Sequence, residues 1–217
     1  MGEIHILTKE QQLILDEIKQ SNDLSQFYFT GGTALSALYL QHRYSEDLDL
    51  FSENKFDNQT ILGLVEGWSK KYHFTFQSEF HEVVYIFQIQ FPNAPLLKVD
   101  FGFYPYKRIG ESKLLRGVKT DSLNDIAVNK LFTITQRTTI KDFVDLYFLL
   151  PKFGIWDLMY GVESKFRTKL EPFIVSSDFL KVEEFDIMPR MIKPLTPRDL
   201  KIFYREQAKN LGRQSVE

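Results

Sequence analysis

The sequence predicts an α+β fold, in which a mixed sheet with flanking helices occupies residues 1–120 and a helical region occupies residues 121–217. Three observations lead to this prediction. A short apolar strand runs into a double glycine and a helix, and a second strand follows. Three segments between residues 74 and 104 then alternate apolar and polar positions, which is typical of strands with one buried face. From about Ser122 the apolar period changes from two residues to 3.6, which indicates helices.

Each element is predicted from a local pattern. Apolar residues at helical spacing predict a first helix over residues 8–20, with Thr8 as its N-cap. The double glycine, Gly31-Gly32, lies between the first strand and its helix. The predicted elements that follow the first helix are a strand over 27–30, a helix over 33–41, a strand over 47–51, a helix over 58–72, strands over 74–81, 83–91 and 96–104, and helices over 122–136 and 140–150. Residues 156–212 are predicted to be helical with interruptions at prolines.

Composition limits the classes of function. The chain is 43% hydrophobic and 26% charged and has a formal net charge of −2, so no global field favours nucleic acid or membrane. Cysteine is absent, which excludes disulfides, thiolate chemistry and cysteine-ligated zinc. No apolar run approaches the ~20 residues of a membrane span, and the first residues lack the pattern of a signal peptide. We therefore expect a cytoplasmic protein without a membrane partner.

Acidic side chains are the first candidates for chemistry. Asp47 and Asp49 are two positions apart on a predicted strand, so they project from the same face. Adjacent carboxylates repel each other, and a hard divalent cation is the natural compensation. Asp100 lies opposite the apolar face of a later strand and would join the pair if the two strands were neighbours. The alternative is that each aspartate lies on a solvated sheet face.

The double glycine is the second candidate. Gly31 and Gly32 are positioned to let backbone N–H groups approach a phosphate, although they could also form a simple strand-to-helix turn. Thr33 offers a hydroxyl to a phosphate or caps the helix. Arg43 either contacts substrate or locks the turn by bonding Glu46 or Asp47.

Charged residues on two later helices are the third candidates. Lys130 lies in the middle of an apolar helix, where a lysine either extends to the surface or supplies a cation for a triphosphate. Lys141, Asp142 and Asp145 lie near the start of the next helix. Both aspartates are also expected there because acidic groups favour the positive end of the helix dipole.

Taken together, these motifs resemble the AbiEii-type nucleotidyltransferases, a toxin-like branch of the superfamily related to DNA polymerase beta. The resemblance spans about residues 27–150, and its motifs occur in the family's order. They are Thr30-Gly-Gly-Thr-Ala-Leu35, His42-Arg43, Ser45-Glu-Asp-Leu-Asp-Leu-Phe51, Asp125-Ile-Ala-Val-Asn-Lys-Leu131, Arg137 and Lys141-Asp-Phe-Val-Asp-Leu-Tyr147.

The resemblance implies a nucleotidyltransferase-like fold that uses Mg²⁺ or Mn²⁺ and a nucleoside triphosphate. Asp47 and Asp49 would bind metal, and Asp100 is matched less regularly as the third metal ligand. Nucleotide phosphates would be held at the glycines. The family's later lysine corresponds to Lys130, and its following acid to Asp142 or Asp145.

The leading hypothesis is magnesium-dependent transfer of a nucleoside monophosphate from a nucleoside triphosphate to a hydroxyl of RNA, such as tRNA, or of protein. By resemblance, the chain would be the toxin of a toxin–antitoxin or abortive-infection system, with a cognate antitoxin protein as partner. The expected catalytic residues are Asp47, Asp49, Asp100, Lys130, Lys141, Asp142 and Asp145, and the expected nucleotide-binding residues are Gly31, Gly32, Thr33 and Arg43. The alternatives are a non-catalytic nucleotide-binding or partner-binding module, or a housekeeping enzyme that modifies a small molecule.

Overall fold

The protein was analysed as a computed structural model that describes residues 6–214, so the outermost residues of both predicted regions lie outside the described range. A mixed sheet, flanking helices and a helical C-terminal region confirm the predicted α+β class. The helices are α1 (Lys9–Gln20), α2 (Gly31–Ala34) with the π-helical segment Leu35–Leu40, α3 (Asn58–Tyr72), α4 (Leu123–Gln136), α5 (Ile140–Leu149), α6 (Ile155–Phe166), α7 (Pro172–Leu180) with the 3₁₀ turn Lys181–Glu184, and α8 (Pro197–Gln214). The strands are β1 (Tyr28–Thr30), β2 (Leu48–Ser52), β3 (Thr75–His81), β4 (Val84–Gln90), β5 (Leu97–Phe103), β6 (Lys113–Leu115) and β7 (Val118–Thr120).

Within residues 6–214 the sheet has seven strands in the order β3-β4-β5-β2-β1-β7-β6. The pairs β2–β5 and β1–β7 are parallel, and the other neighbours are antiparallel. The middle strands β5, β2 and β1 have the apolar faces that the sequence predicts, since Leu48, Leu50 and Phe101 are fully buried. Strands β2 and β5 are neighbours although they are distant in sequence: Leu48 lies beside Val99, 51 positions later.

The described part of the chain divides into two compact units. The first contains the sheet with α1, α2 and α3, and comprises residues up to 39, 45–107 and 111–122. Its core is rich in aromatic rings: Phe101 contacts Phe27 edge-on at 5.2 Å between ring centroids and Phe87 at 5.9 Å. Helix α1 begins with the predicted cap, because the Thr8 side chain accepts a hydrogen bond from the Gln11 amide.

Two local features of the first unit differ from the sequence prediction. The strands β6 and β7 were not predicted, because each has only three residues, too few to show a period. They form a hairpin whose turn residues Arg116 and Gly117 both have positive φ, as a tight two-residue turn requires. The helix predicted from Thr33 begins two residues earlier, at Gly31, and ends in π-helical geometry.

The second unit comprises residues 40–44, 108–110 and 123 onward, and contains α4 to α8. Helices α5 and α8 meet at Tyr204, a fully buried side chain whose hydroxyl donates to the carbonyl oxygen of Phe143 at 2.7 Å. Lys165 and Asp125 form a buried ion pair at 2.7 Å, and the Asp125 carboxylate also accepts from the amides of Ile109 and Gly110. These contacts hold the loop at Ile109 and Gly110 against α4, which is itself linked to α6 through Lys165.

The predicted division into two domains at residue 120 stays a prediction, because compactness does not show that either part folds alone. No helix among residues 6–214 is long and apolar enough to cross a membrane.

Candidate active site

The acidic residues of the first unit lie on neighbouring strands. Strands β2 and β5 run parallel, and their register places Asp49 directly beside Asp100. Asp47 immediately precedes β2 and lies two positions before Asp49, so the side chains of both aspartates leave the strand on the same side. Asp100 therefore lies beside Asp49, a contact that the sequence allowed but could not establish. The contact arises because two strands from distant parts of the chain pair.

The glycine turn lies directly against one of these carboxylates. Thr30, the last residue of β1, pairs with Asp49, and Gly31 follows with a φ of +74°. A Cβ atom at position 31 would be 1.9 Å from Oδ2 of Asp49. Both the backbone conformation and this close approach require glycine. The residue therefore lets the Asp49 carboxylate lie against the start of α2.

Thr33 holds the backbone that precedes the acidic strand. Its hydroxyl donates to the carbonyl oxygen of Asp47 at 2.5 Å, and the side chain is fully buried. The interpretation of Thr33 as the helix cap is wrong, because α2 begins at Gly31 and its N-cap position is Thr30. Contact between the Thr33 hydroxyl and a phosphate stays a prediction.

A lysine that the sequence analysis did not select faces Asp100. Lys98 and Asp100 are two positions apart on β5, and the lysine Nζ lies 2.5 Å from Oδ2 of Asp100. Partial burial opposes the charged form, but bonding to Asp100 and attraction by Asp49 and Asp47 raise the pKa of Lys98 above its ordinary value. Burial raises the pKa of Asp100, and Lys98 reduces that rise. The period of two along a strand would have been the signal for Lys98.

The carboxylates of Asp47, Asp49 and Asp100 are suitable ligands for a hard divalent cation, although they do not form a closed coordination site. Carboxylate oxygens are the ligands that Mg²⁺ and Mn²⁺ prefer. Oδ1 of Asp100 is buried and lacks a hydrogen-bond partner within the described part of the chain, so it is an oxygen that a cation would satisfy. Among residues 6–214, no three acidic or histidine side chains are arranged as a ready metal site. Asp47, Asp49 and Asp100 are the residues that could hold the ion.

A second constellation lies in the other unit and is centred on Asp145. This carboxylate is fully buried and accepts hydrogen bonds from Nε2 of His42 at 2.7 Å and from Nε and Nη2 of Arg43 at 2.6 and 2.9 Å. The Lys130 ammonium lies 2.7 Å from Oδ2 of Asp145. Burial alone would raise the pKa of Asp145, but Lys130 and Arg43 hold that pKa far below its usual range. Burial lowers the pKa of His42, so its neutral ring donates through Nε2.

Lys130 joins Asp145 to Asp142. Its ammonium lies 2.7 Å from an oxygen of each carboxylate, and Arg137 donates to the other oxygen of Asp142 at 2.9 Å. Burial opposes the charge on Lys130, yet the two carboxylates raise its pKa, and Lys130 and Arg137 in turn lower the pKa of Asp142. The interpretation of Lys130 as a lysine that extends to the surface is wrong, because its residue is only 8% exposed.

The remaining predicted residues of this unit have different surroundings. Arg43 bonds the carboxylate of Asp145, about a hundred residues away in the chain, whereas the predicted structural partner was Glu46 or Asp47. Lys141 lies on the first turn of α5, where it lines a surface groove with Phe185 and Ile187. Within the described residues, no ion pair includes Lys141. His42 and Arg137 are not among the expected site residues. The partner of His42 is 103 positions away in the chain. Asp142, the partner of Arg137, is only five positions away but lies beyond the break between α4 and α5.

Comparison with known proteins agrees with these observations. Residues 13–210 match the family of AbiEii nucleotidyltransferase toxins of type IV toxin–antitoxin systems. The uncharacterized protein aq_aa25 of Aquifex aeolicus (strain VF5) is 33% identical over 159 residues, which are 70% of each protein.

Two solved structures have a similar fold. JHP933 from Helicobacter pylori has a TM-score of 0.55 and 21% identity over 97% of both chains. MenT4, a nucleotidyltransferase toxin from Mycobacterium tuberculosis H37Rv, has a TM-score of 0.56 and 16% identity over 93% of this chain and 82% of its own. Because the family match extends over most of the sequence, the chain belongs to the AbiEii nucleotidyltransferase toxin family and is a nucleotidyltransferase.

Proposed function

We propose that the protein transfers a nucleoside monophosphate from a nucleoside triphosphate to an acceptor hydroxyl, with a divalent cation bound by the acids of the first unit. The observation that carries the proposal is the register of Asp49 beside Asp100, with a buried carboxylate oxygen of Asp100 that has no hydrogen-bond partner among residues 6–214. Paired carboxylates are costly unless a cation compensates them. Family membership supplies the class of reaction.

The residues of the first unit have different roles in the proposed reaction. Asp47, Asp49 and Asp100 hold the cation. Thr33 fixes the backbone of Asp47 through its hydroxyl. The glycine turn keeps Asp49 against the start of α2 and presents the N–H groups of Gly31 and Gly32 to nucleotide phosphates. A bound Mg²⁺ or Mn²⁺ would neutralise negative charge at the α-phosphate and on the departing pyrophosphate.

Asp100 is the best candidate for orienting the acceptor hydroxyl or accepting its proton. One of its oxygens has no hydrogen-bond partner within residues 6–214, whereas the oxygens of Asp142 and Asp145 are bonded to cationic side chains. We assign Asp145 to positioning, because a fully buried carboxylate with bonded oxygens cannot reach a substrate proton. Catalytic roles for Lys130, Lys141 and Asp142 stay predictions.

The test is transfer of label from α-³²P nucleoside triphosphates to RNA, including tRNA, and to protein, in the presence of Mg²⁺ or Mn²⁺. We expect Asp47→Asn and Asp49→Asn to reduce transfer at least ~100-fold, because each removes charge stabilisation present in the transition state. Asp23→Asn is the matched control, since Asp23 is an exposed acid of the same unit. Transfer by Asp49→Asn at the wild-type rate would contradict the mechanism.

We further propose that the transfer is toxic and that a cognate antitoxin opposes it. Expression of the wild-type chain without its antitoxin should arrest growth, and expression of Asp49→Asn should not. If the arrest persists with Asp49→Asn, the toxicity comes from binding to a partner and not from catalysis.

A further inference from the structure

The arrangement around Lys98 has a consequence for how a metal reaches the acids. Lys98 is held by Asp100 at 2.5 Å, and its side chain is 39% exposed whereas that of Asp100 is 11% exposed. The lysine is therefore the more exposed partner of this ion pair. The oxygen it bonds belongs to the residue that lies in register with Asp49.

On the neighbouring strand β4, no basic residue is in register with Lys98 or Asp100. The β4 residues opposite Lys98 and Asp100 are Gln88 and Ile86, which carry no charge. The charged groups that act on the lysine are Asp100, Asp49 and Asp47. The Lys98 ammonium thus offsets part of the repulsion among these carboxylates.

We propose that Lys98 is the resident cation of this acidic cluster and that a divalent metal ion binds by displacing the Lys98 ammonium from Asp100. The inference rests on the proposed function, because it takes Asp49 and Asp100 as metal ligands. A divalent ion bound to Asp100 would lie close to the Lys98 ammonium, and the repulsion between the two cations favours opening of the ion pair. The exposed, flexible lysine side chain can turn into solvent, whereas Asp100 is fixed in the sheet.

The inference also explains why the acids are not arranged as a ready metal site within residues 6–214. Asp100 is held toward the lysine, and one of its oxygens is occupied by the ammonium. Lys98 is therefore a positioning residue that sets the affinity for metal. Its removal is expected to strengthen metal binding, which is the opposite of what loss of a substrate-binding lysine would do.

The experiment measures Mn²⁺ affinity by electron paramagnetic resonance and by calorimetry, with no nucleotide present. Lys98→Met and Lys98→Gln remove the cation and should bind Mn²⁺ at least ~10-fold more tightly than the wild type, since a competing charge at contact distance is lost. Lys98→Arg keeps the charge and should stay within ~3-fold of the wild type. Lys119→Met, at an exposed lysine on β7 of the same sheet, should have no effect.

Thermal unfolding provides a second measurement on the same variants. Without metal, Lys98→Met should unfold at a lower temperature than the wild type, because Asp100 loses the ammonium that it bonds. Mn²⁺ should then raise its midpoint by more than it raises that of the wild type. If Lys98→Met does not fold, the comparison uses Lys98→Gln.

The outcomes separate this inference from the proposed function. Equal or weaker Mn²⁺ binding by Lys98→Met and Lys98→Gln overturns the inference, whether or not the acids bind metal. If Asp49→Asn and Asp100→Asn also bind Mn²⁺ as tightly as the wild type, the metal site of the proposed function is wrong as well. Tighter binding by both lysine variants, lost when Asp100→Asn is added, supports the displacement.

Discussion

Replacement of Gly31 by alanine tests whether the glycine turn exists to accommodate Asp49. The backbone at Gly31 has a φ of +74°, which costs a residue with a Cβ atom ~1–2 kcal/mol. The new Cβ would also be 1.9 Å from the Asp49 carboxylate, so that group must move by about 1.5 Å to reach an ordinary contact distance. We expect the free energy of unfolding to fall by ~2–3 kcal/mol, which is typical of overpacking combined with backbone strain.

The same displacement should affect function more than stability. A carboxylate misplaced by about 1 Å can cost ~100-fold in rate, so nucleotidyl transfer by Gly31→Ala should fall by at least that factor. Mn²⁺ affinity should fall with it, because Asp49 would leave the position beside Asp100. Urea denaturation, Mn²⁺ titration and the labelling assay measure the three effects on one preparation.

Gly67→Ala is the matched control. Gly67 lies in the middle of α3 in the same unit, and a Cβ there would meet nothing within 4 Å. Alanine in a helix interior is more stable than glycine by ~0.5–1 kcal/mol, so this variant should gain stability and keep full activity. If Gly31→Ala unfolds at the wild-type urea concentration and binds Mn²⁺ normally, the explanation of the glycine through Asp49 is refuted.

Three further predictions concern the second unit. Asp145→Asn should lower the free energy of unfolding by ~3–5 kcal/mol in urea, because Arg43 and Lys130 would keep buried charges without their shared carboxylate, and a loss below ~1 kcal/mol would contradict this role. Because the folded-state pKa values of Asp142 and Asp145 are depressed, their contribution is complete above the ordinary carboxyl pKa of 3.8 and is lost as pH falls through the folded values. Urea midpoints measured over roughly pH 3 to 6 should therefore fall at the acid end, and less steeply in Asp145→Asn. Tyr204→Phe should cost ~1–2 kcal/mol, measured by the same denaturation, because the carbonyl of Phe143 loses its buried donor, and Mn²⁺ affinity should not change.

Several features of the fold and of the candidate site could be predicted because they depend on neighbouring residues. The helix over residues 58–72 and the Thr8 cap follow from local spacing and local hydrogen bonds, and both are present. The common face of Asp47 and Asp49 follows from the period of two. The hairpin of β6 and β7 could not be predicted in this way, because three-residue strands contain too little pattern.

Other features depend on partners far away in the chain. The importance of Gly31 could be anticipated, but the contact that requires glycine is with Asp49, eighteen positions later, and no local pattern indicates it. The surface interpretation of Lys130 was excluded only when α5 supplied Asp142 and Asp145 to its ammonium. Lys98 was visible on the same face of its strand as Asp100, but its significance depends on which strand lies beside β5.

By itself, the sequence determined the class of fold, the family motifs and the candidate residues for a cation or nucleotide site, because these depend on residue chemistry and short periods. The tertiary structure decided which of these residues meet. Strand pairing placed Asp100 beside Asp49, and helix packing enclosed Asp145 between Arg43 and Lys130. Carboxylates and ammonium groups interact strongly only at short distances and with water excluded, and folding alone sets both conditions.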